Sequence, residues 1–128
     1  MFTLRLLFLM AIALSFWTSQ ALAAEKTTAV WSDGRTSALS DEELVRHALV
    51  SPRVAYPEEA QTAKIAGNGL YELRVDKAGA TIAVAIVKSS GSALLDKAAT
   101  STFKKWRFKP AVFRAVRIPV SWSVKRVR

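Results

Sequence analysis

Cysteine is absent from the 128 residues, and His47 is the only histidine. The first absence removes disulfides, thiolate nucleophiles and cysteine-bound zinc. With one imidazole and no thiol, no Ser-His-Asp, Cys-His or metal-ligand constellation can be assembled, so the chain reads as non-catalytic, with no cofactor and no metal. His47 has no second ligand or nucleophile motif beside it and reads as structural. Acidic residues are few: ten Asp and Glu against nineteen Lys and Arg, a formal charge of +9. The last carboxylate is Asp96, and every charged side chain after it, from Lys97 to Arg128, is cationic. Such a surface is a solvated face or a site for an acidic partner: a peptide, an anionic lipid or lipopolysaccharide, or nucleic acid. Long apolar runs are absent too, with one exception at the N-terminus.

That exception, Leu6–Trp17, follows Arg5 and precedes Thr18-Ser19-Gln20 and the A-x-A tripeptide Ala21-Leu22-Ala23. Together these read as a secretory signal peptide over residues 1–23, cleaved after Ala23. The run is too short to span a bilayer comfortably, since about 20 apolar residues are needed, so an uncleaved anchor is the alternative reading. Export places the mature protein in the periplasm and sets nucleic acid aside. Residues 24–38 form a short polar leader with a turn at Asp33-Gly34, and residues 39–128 form one domain.

Within that domain, Ser40 and Glu43 have capping-box spacing, and Leu39 with Leu44 can form a hydrophobic staple. They predict a helix that buries Leu44, Val45, Ala48 and Leu49 and stops before Ser51-Pro52. A second helix is expected over Tyr56–Gly67, with Pro57 at its first position, Glu58 and Glu59 on the positive end of the dipole and Gly67 as the C′ residue. Glu58 and Glu59 are adjacent and do not face one another, so they are not an acid/base pair.

Leu70–Asp76 alternates as a strand, Asp76–Gly79 is a turn, and Ala80–Lys88 is a second strand. A helix follows in Ser89–Pro110, with Leu95, Ala99, Phe103 and Trp106 on one face. Trp106 and Phe108 are expected to close the core, and Asp96 lies early in this helix, where the dipole favours a carboxylate. Val112–Val116 is a short loop, and Arg117–Lys125 is a third strand with Ile118, Val120, Trp122 and Val124 inward. The expected fold is α+β: a small three-stranded antiparallel sheet in the order two-one-three with helices packed on one side. Pro119 points to an edge position for the third strand, because proline cannot donate to a central ladder.

Several features resemble the C-terminal domain of the TonB family of periplasmic energy transducers. They are Tyr56-Pro57-x-x-Ala60, Gly67, Gly79, Ser89-Ser90-Gly91, Leu95-Asp96-x-Ala98-Ala99, Trp106-x-Phe108-x-Pro110-Ala111 and Ile118-Pro119-Val120-x-Trp122. The resemblance covers about Pro52 to Val127. It implies a module that captures a short extended segment of an outer-membrane receptor, or of another envelope protein, as an added strand. On that reading the partner edge is Arg117, Ser121, Ser123 and Lys125, and the same edge offers a route to a homodimer. Pro119 and the terminal charges equally serve to keep a free edge from aggregating.

The chain departs from transducing members of the family in three places. Its leader reads as cleavable, and the proline-free spacer Glu25–Ala38 reaches roughly 50 Å at ~3.5 Å per residue. Arg53-Val54-Ala55 lacks the glutamine that members can carry before the Tyr-Pro. The loop before strand three is short and has no glycine. A membrane-anchored energy transducer of reduced length is therefore one alternative function, and a cationic protein that binds lipopolysaccharide or anionic lipid is another.

Overall fold

The structure, a computed structural model, describes residues 25–124. The expected signal peptide and Lys125 lie outside the described residues. In chain order the elements are β1 (Thr28–Trp31), β2 (Thr36–Ala38), α1 (Asp41–His47), β3 (Ala48–Val50), α2 (Glu58–Thr62), β4 (Gly67–Val75), β5 (Thr81–Lys88), α3 (Ala93–Phe103), β6 (Arg107–Phe108) and β7 (Phe113–Trp122).

The three expected strands are present as β5-β4-β7, with β4 central, but they are part of a five-stranded antiparallel sheet in the order β2-β1-β7-β4-β5. This corrects the three-stranded expectation. The leader supplies the extra strands: Asp33-Gly34 turns the chain, with Gly34 at φ 91°, and folds β2 back on β1. It also corrects the edge assignment, since β1 pairs with β7 from outside. A second, two-stranded sheet joins β3 to β6.

The α1 capping box forms as expected, with Ser40 Oγ accepting from Glu43 N–H and Glu43 Oε2 from Ser40 N–H, each at 3.2 Å. Leu39 and Leu44, the staple pair, are both buried. The helix is shorter than expected because the chain turns extended at Ala48 (φ −90°, ψ 131°) to pair with β6. That redirects the apolar face: Val45 and Leu49, expected in the core, are 64% and 61% exposed. Helix α2 is also short. Lys64, not Gly67, takes the positive-φ position after it, and Gly67 opens β4. Strand β7 begins at Phe113, so the expected loop Val112–Val116 is mostly strand.

The core lies between one face of the sheet and the helices. Tyr71, Leu73 and Val75 of β4 and Val116, Ile118 and Trp122 of β7 meet Leu95, Ala99 and Phe103 of α3. The four-residue helical stripe read from the sequence is wholly buried, and Trp106 and Phe108 close the core as expected. Gly79 shows how tightly that closure is built. Its φ is +89°, Phe108 N–H donates to its carbonyl at 2.7 Å, and a Cβ there would collide with the Phe108 carbonyl oxygen.

Candidate partner-binding edge

Strand β7 is the longest among the described residues and pairs with β4 without a register break, from Gly67↔Trp122 to Arg74↔Ala115. Its side chains alternate. Val116, Ile118 and Trp122 are buried, whereas Arg117 and Ser121 project from the face away from the helices. There Arg117 lies opposite Glu72 and pairs with it at 3.3 Å. An opposed pair of this kind contributes about 0.2–1 kcal/mol and chiefly fixes side-chain direction. Beside it lies a shallow depression lined by Thr28, Val30, Thr36, Glu72, Ala115 and Arg117.

The outer edge of β7 is divided. Over Phe113–Arg117 it is covered by β1, in the register Thr28↔Arg117, Ala29↔Val116, Val30↔Ala115 and Trp31↔Phe113. The far end of this cover is fastened by Trp31, which packs on Phe113 at 4.9 Å and edge-on to His47 at 5.6 Å. Ser32 N–H adds a bond to Val112 O at 2.9 Å. His47 is thus part of an aromatic cluster; its buried Nδ1 has no hydrogen-bond partner among the described residues.

At the other end the cover stops. The pairing with β7 ends at Thr28; buried Thr27 still accepts from Leu39 N–H at 2.8 Å, and Glu25 reaches Lys88 of β5 at 3.8 Å. Among the described residues, no strand lies across Ile118–Trp122. Strand main-chain groups alternate sides, and Pro119 has no N–H to give the β4 ladder; this favours an outward-facing main chain at Pro119 and Ser121.

Of the residues read from the sequence as a partner edge, Arg117 sits at the boundary with its backbone opposite Thr28. Ser121 is exposed within the uncovered stretch, and exposed Ser123 follows it. Lys125 lies outside the described residues. The sequence reading missed Thr28–Trp31, the strand that covers half of the edge. Its signal was present: Thr28-Ala29-Val30-Trp31 and Thr36-Ser37-Ala38 flank an Asp-Gly turn, which is a hairpin pattern.

The other edges differ. Strand β2 is three residues long, and β5 has register shifts at both ends of its pairing with β4. Such bulges twist an edge away from further pairing.

Asp96 organises the end of the sheet beside the uncovered stretch. Its buried carboxylate accepts from Tyr71 O–H (2.7 Å), Ser89 Oγ (2.5 Å), Ser90 N–H (3.0 Å) and Ser90 Oγ (2.8 Å). Burial alone would raise its pKa. The donors from Ser89, Ser90 and Tyr71 outweigh burial and lower it to about 2. Burial and the neighbouring carboxylate push the Tyr71 phenol well above its ordinary range. Asp96 therefore joins α3, the Ser89–Gly91 turn and β4, a larger role than the helix-dipole one expected. No group of three or more His, Asp or Glu side chains among the described residues is placed to hold a metal ion.

Comparison with known proteins agrees with this architecture. Residues 52–125 match the family described as Gram-negative bacterial TonB protein C-terminal. The chain is 36% identical over 87 residues to "Protein TonB" of Vibrio cholerae serotype O1, an alignment covering 66% of this chain and 35% of that protein. It thus spans about a third of the length of this relative. The fold is similar to the solution NMR structure of the Pseudomonas aeruginosa TonB CTD, with a TM-score of 0.50 at 21% identity, covering 63% of this chain and 86% of that one. Elements β1, β2, α1 and β3 precede the matched residues. The chain belongs to the TonB C-terminal domain family.

Proposed function

We propose that this chain is a TonB-like interaction module of the periplasm that binds an extended segment of an outer-membrane receptor, or of another envelope protein, by strand addition. The observation that carries this reading is the divided edge of β7. The chain's own hairpin covers Phe113–Arg117, and Ile118–Trp122 has a regular ladder on one side and, among the described residues, no strand on the other. Unpaired main-chain groups provide affinity for any extended segment, and alternating side chains select among segments. Ser121 and Ser123 line the proposed contact, Arg117 closes one end, and Lys125 adds a positive charge suited to an acidic segment. No catalytic step is assigned to the site, and a homodimer through the same stretch would compete with the partner.

The test is binding of fluorescent peptides copied from the periplasmic N-terminal segments of outer-membrane receptors. In Ser121→Pro the outward donor is lost and the added ring obstructs the edge, so affinity should fall at least tenfold. A folded variant that binds as tightly as the parent chain would refute edge pairing. Crosslinking in the envelope followed by identification of the bound protein would name the partner.

A further inference from the structure

A second surface, remote from the uncovered part of β7, combines features that a solvated basic face does not need. At the end of α1 and along β3, Val45, Leu49 and Val50 are 64%, 61% and 46% exposed and close together in the chain. Strand β6 places cations beside them. Arg107 lies opposite Val50 in the β3–β6 ladder, and Lys109 N–H donates to His47 O at 2.9 Å. Arg46 adds a third exposed cation from α1. None of the three forms an ion pair among the described residues, where the pairs are Arg35–Asp33, Lys88–Glu25 and Arg117–Glu72.

We propose that this α1–β3–β6 face docks on an anionic lipid surface. A segment of acidic and polar side chains alone would engage the cations and leave the aliphatic side chains exposed to water. A bilayer interface satisfies both: headgroup phosphates take the cations, and the adjoining hydrocarbon boundary takes Leu49 and Val50. The acidic first turn of α1 limits the face, since Asp41 and Glu42 share a shallow depression with Val45 and Arg46. The docked orientation therefore brings β3 and β6 to the lipid and tilts the start of α1 away. The uncovered stretch of β7 stays clear of this contact, so the proposal does not depend on strand addition.

The absence of cysteine permits a site-specific test on the full chain. Leu49→Cys and Lys64→Cys are each labelled with a polarity-sensitive fluorophore and titrated with vesicles of phosphatidylcholine, with or without phosphatidylglycerol. Lys64 lies at the opposite end of the sheet, beside the start of β4. The probe at position 49 should brighten severalfold with anionic vesicles and revert in 0.5 M salt, on the order of the screening expected at that strength. The probe at position 64 should not respond. Adding Arg107→Gln and Lys109→Gln should raise the half-saturating lipid concentration roughly 20- to 30-fold, at about fivefold per charge. The same charge change at Lys64→Gln and Lys97→Gln should leave it within about threefold, as expected for cations outside the contact. Equal responses at positions 49 and 64, an equal response to neutral vesicles, or equal losses in the two charge variants would overturn the proposal.

Discussion

Replacing Asp96 by Asn keeps the shape of the side chain and removes its charge, which isolates the electrostatic part of the buried network. The carboxylate is held at about 2 against an ordinary value of 3.8. With one pK unit worth about 1.4 kcal/mol, ionisation of Asp96 contributes about 2 kcal/mol of stability at neutral pH. The group's pKa is lower in the folded state. Its contribution is therefore complete above pH 3.8 and is lost as the pH falls toward 2. Urea unfolding followed by the fluorescence of buried Trp106 and Trp122 measures the effect. The parent chain should lose about 2 kcal/mol more than Asp96→Asn between pH 5 and pH 2, so that the two stability curves converge in acid. In Asp96→Ala, the fully buried Tyr71 hydroxyl loses its acceptor and the Ser89–Gly91 turn loses its anchor. The expected cost is about 3–5 kcal/mol. Parallel curves for the parent and the Asn variant down to pH 2 would refute the claim that these donors hold an ionised carboxylate.

Other outcomes follow from the same contacts. Gly79→Ala should cost at least about 2 kcal/mol in thermal or urea unfolding, because positive φ and the Phe108 carbonyl both oppose a Cβ. Trp31→Ala should remove about 2–4 kcal/mol and expose more of β7, which would show as concentration-dependent association in sedimentation velocity. His47→Phe fills the same aromatic cluster without an unpartnered ring nitrogen, so it should leave the melting temperature unchanged or raise it, while His47→Ala lowers it. Mass spectrometry of the exported protein should find Ala24 as its first residue; an intact leader would favour the anchored transducer.

Features set by neighbours in sequence were legible before the fold was seen. The Ser40–Glu43 capping box and the Asp76–Gly79 turn depend on short-range spacing and are present as expected; the Leu95–Ala99–Phe103–Trp106 stripe is buried throughout, although α3 ends at Phe103 and Trp106 lies past it. Elements that depend on a distant partner were misread. Leu49 has the spacing of a core helix residue, yet β6 draws Ala48–Val50 into a strand and leaves Leu49 in solvent. Val112–Val116 reads as a loop by itself, and from Phe113 onward it becomes strand because β4 and β1 flank it. The candidate edge was half legible. Alternation named Ser121 as a residue that faces solvent, but nothing local to Arg117 announces that Thr28 lies across from it.

From sequence alone came the class of the fold, the central β5-β4-β7 order and the family resemblance. Alternation, helical periodicity and turn chemistry act over a few residues and are written directly in the chain. Tertiary structure decided the rest. It brought residues 28–31 against residues 113–117, more than eighty positions away, and so determined how much of the β7 edge stays unpaired among the described residues. A strand's unpaired edge is not a property of that strand. It is what remains once every other segment has taken its place, and only the assembled sheet shows that the leader takes half of it.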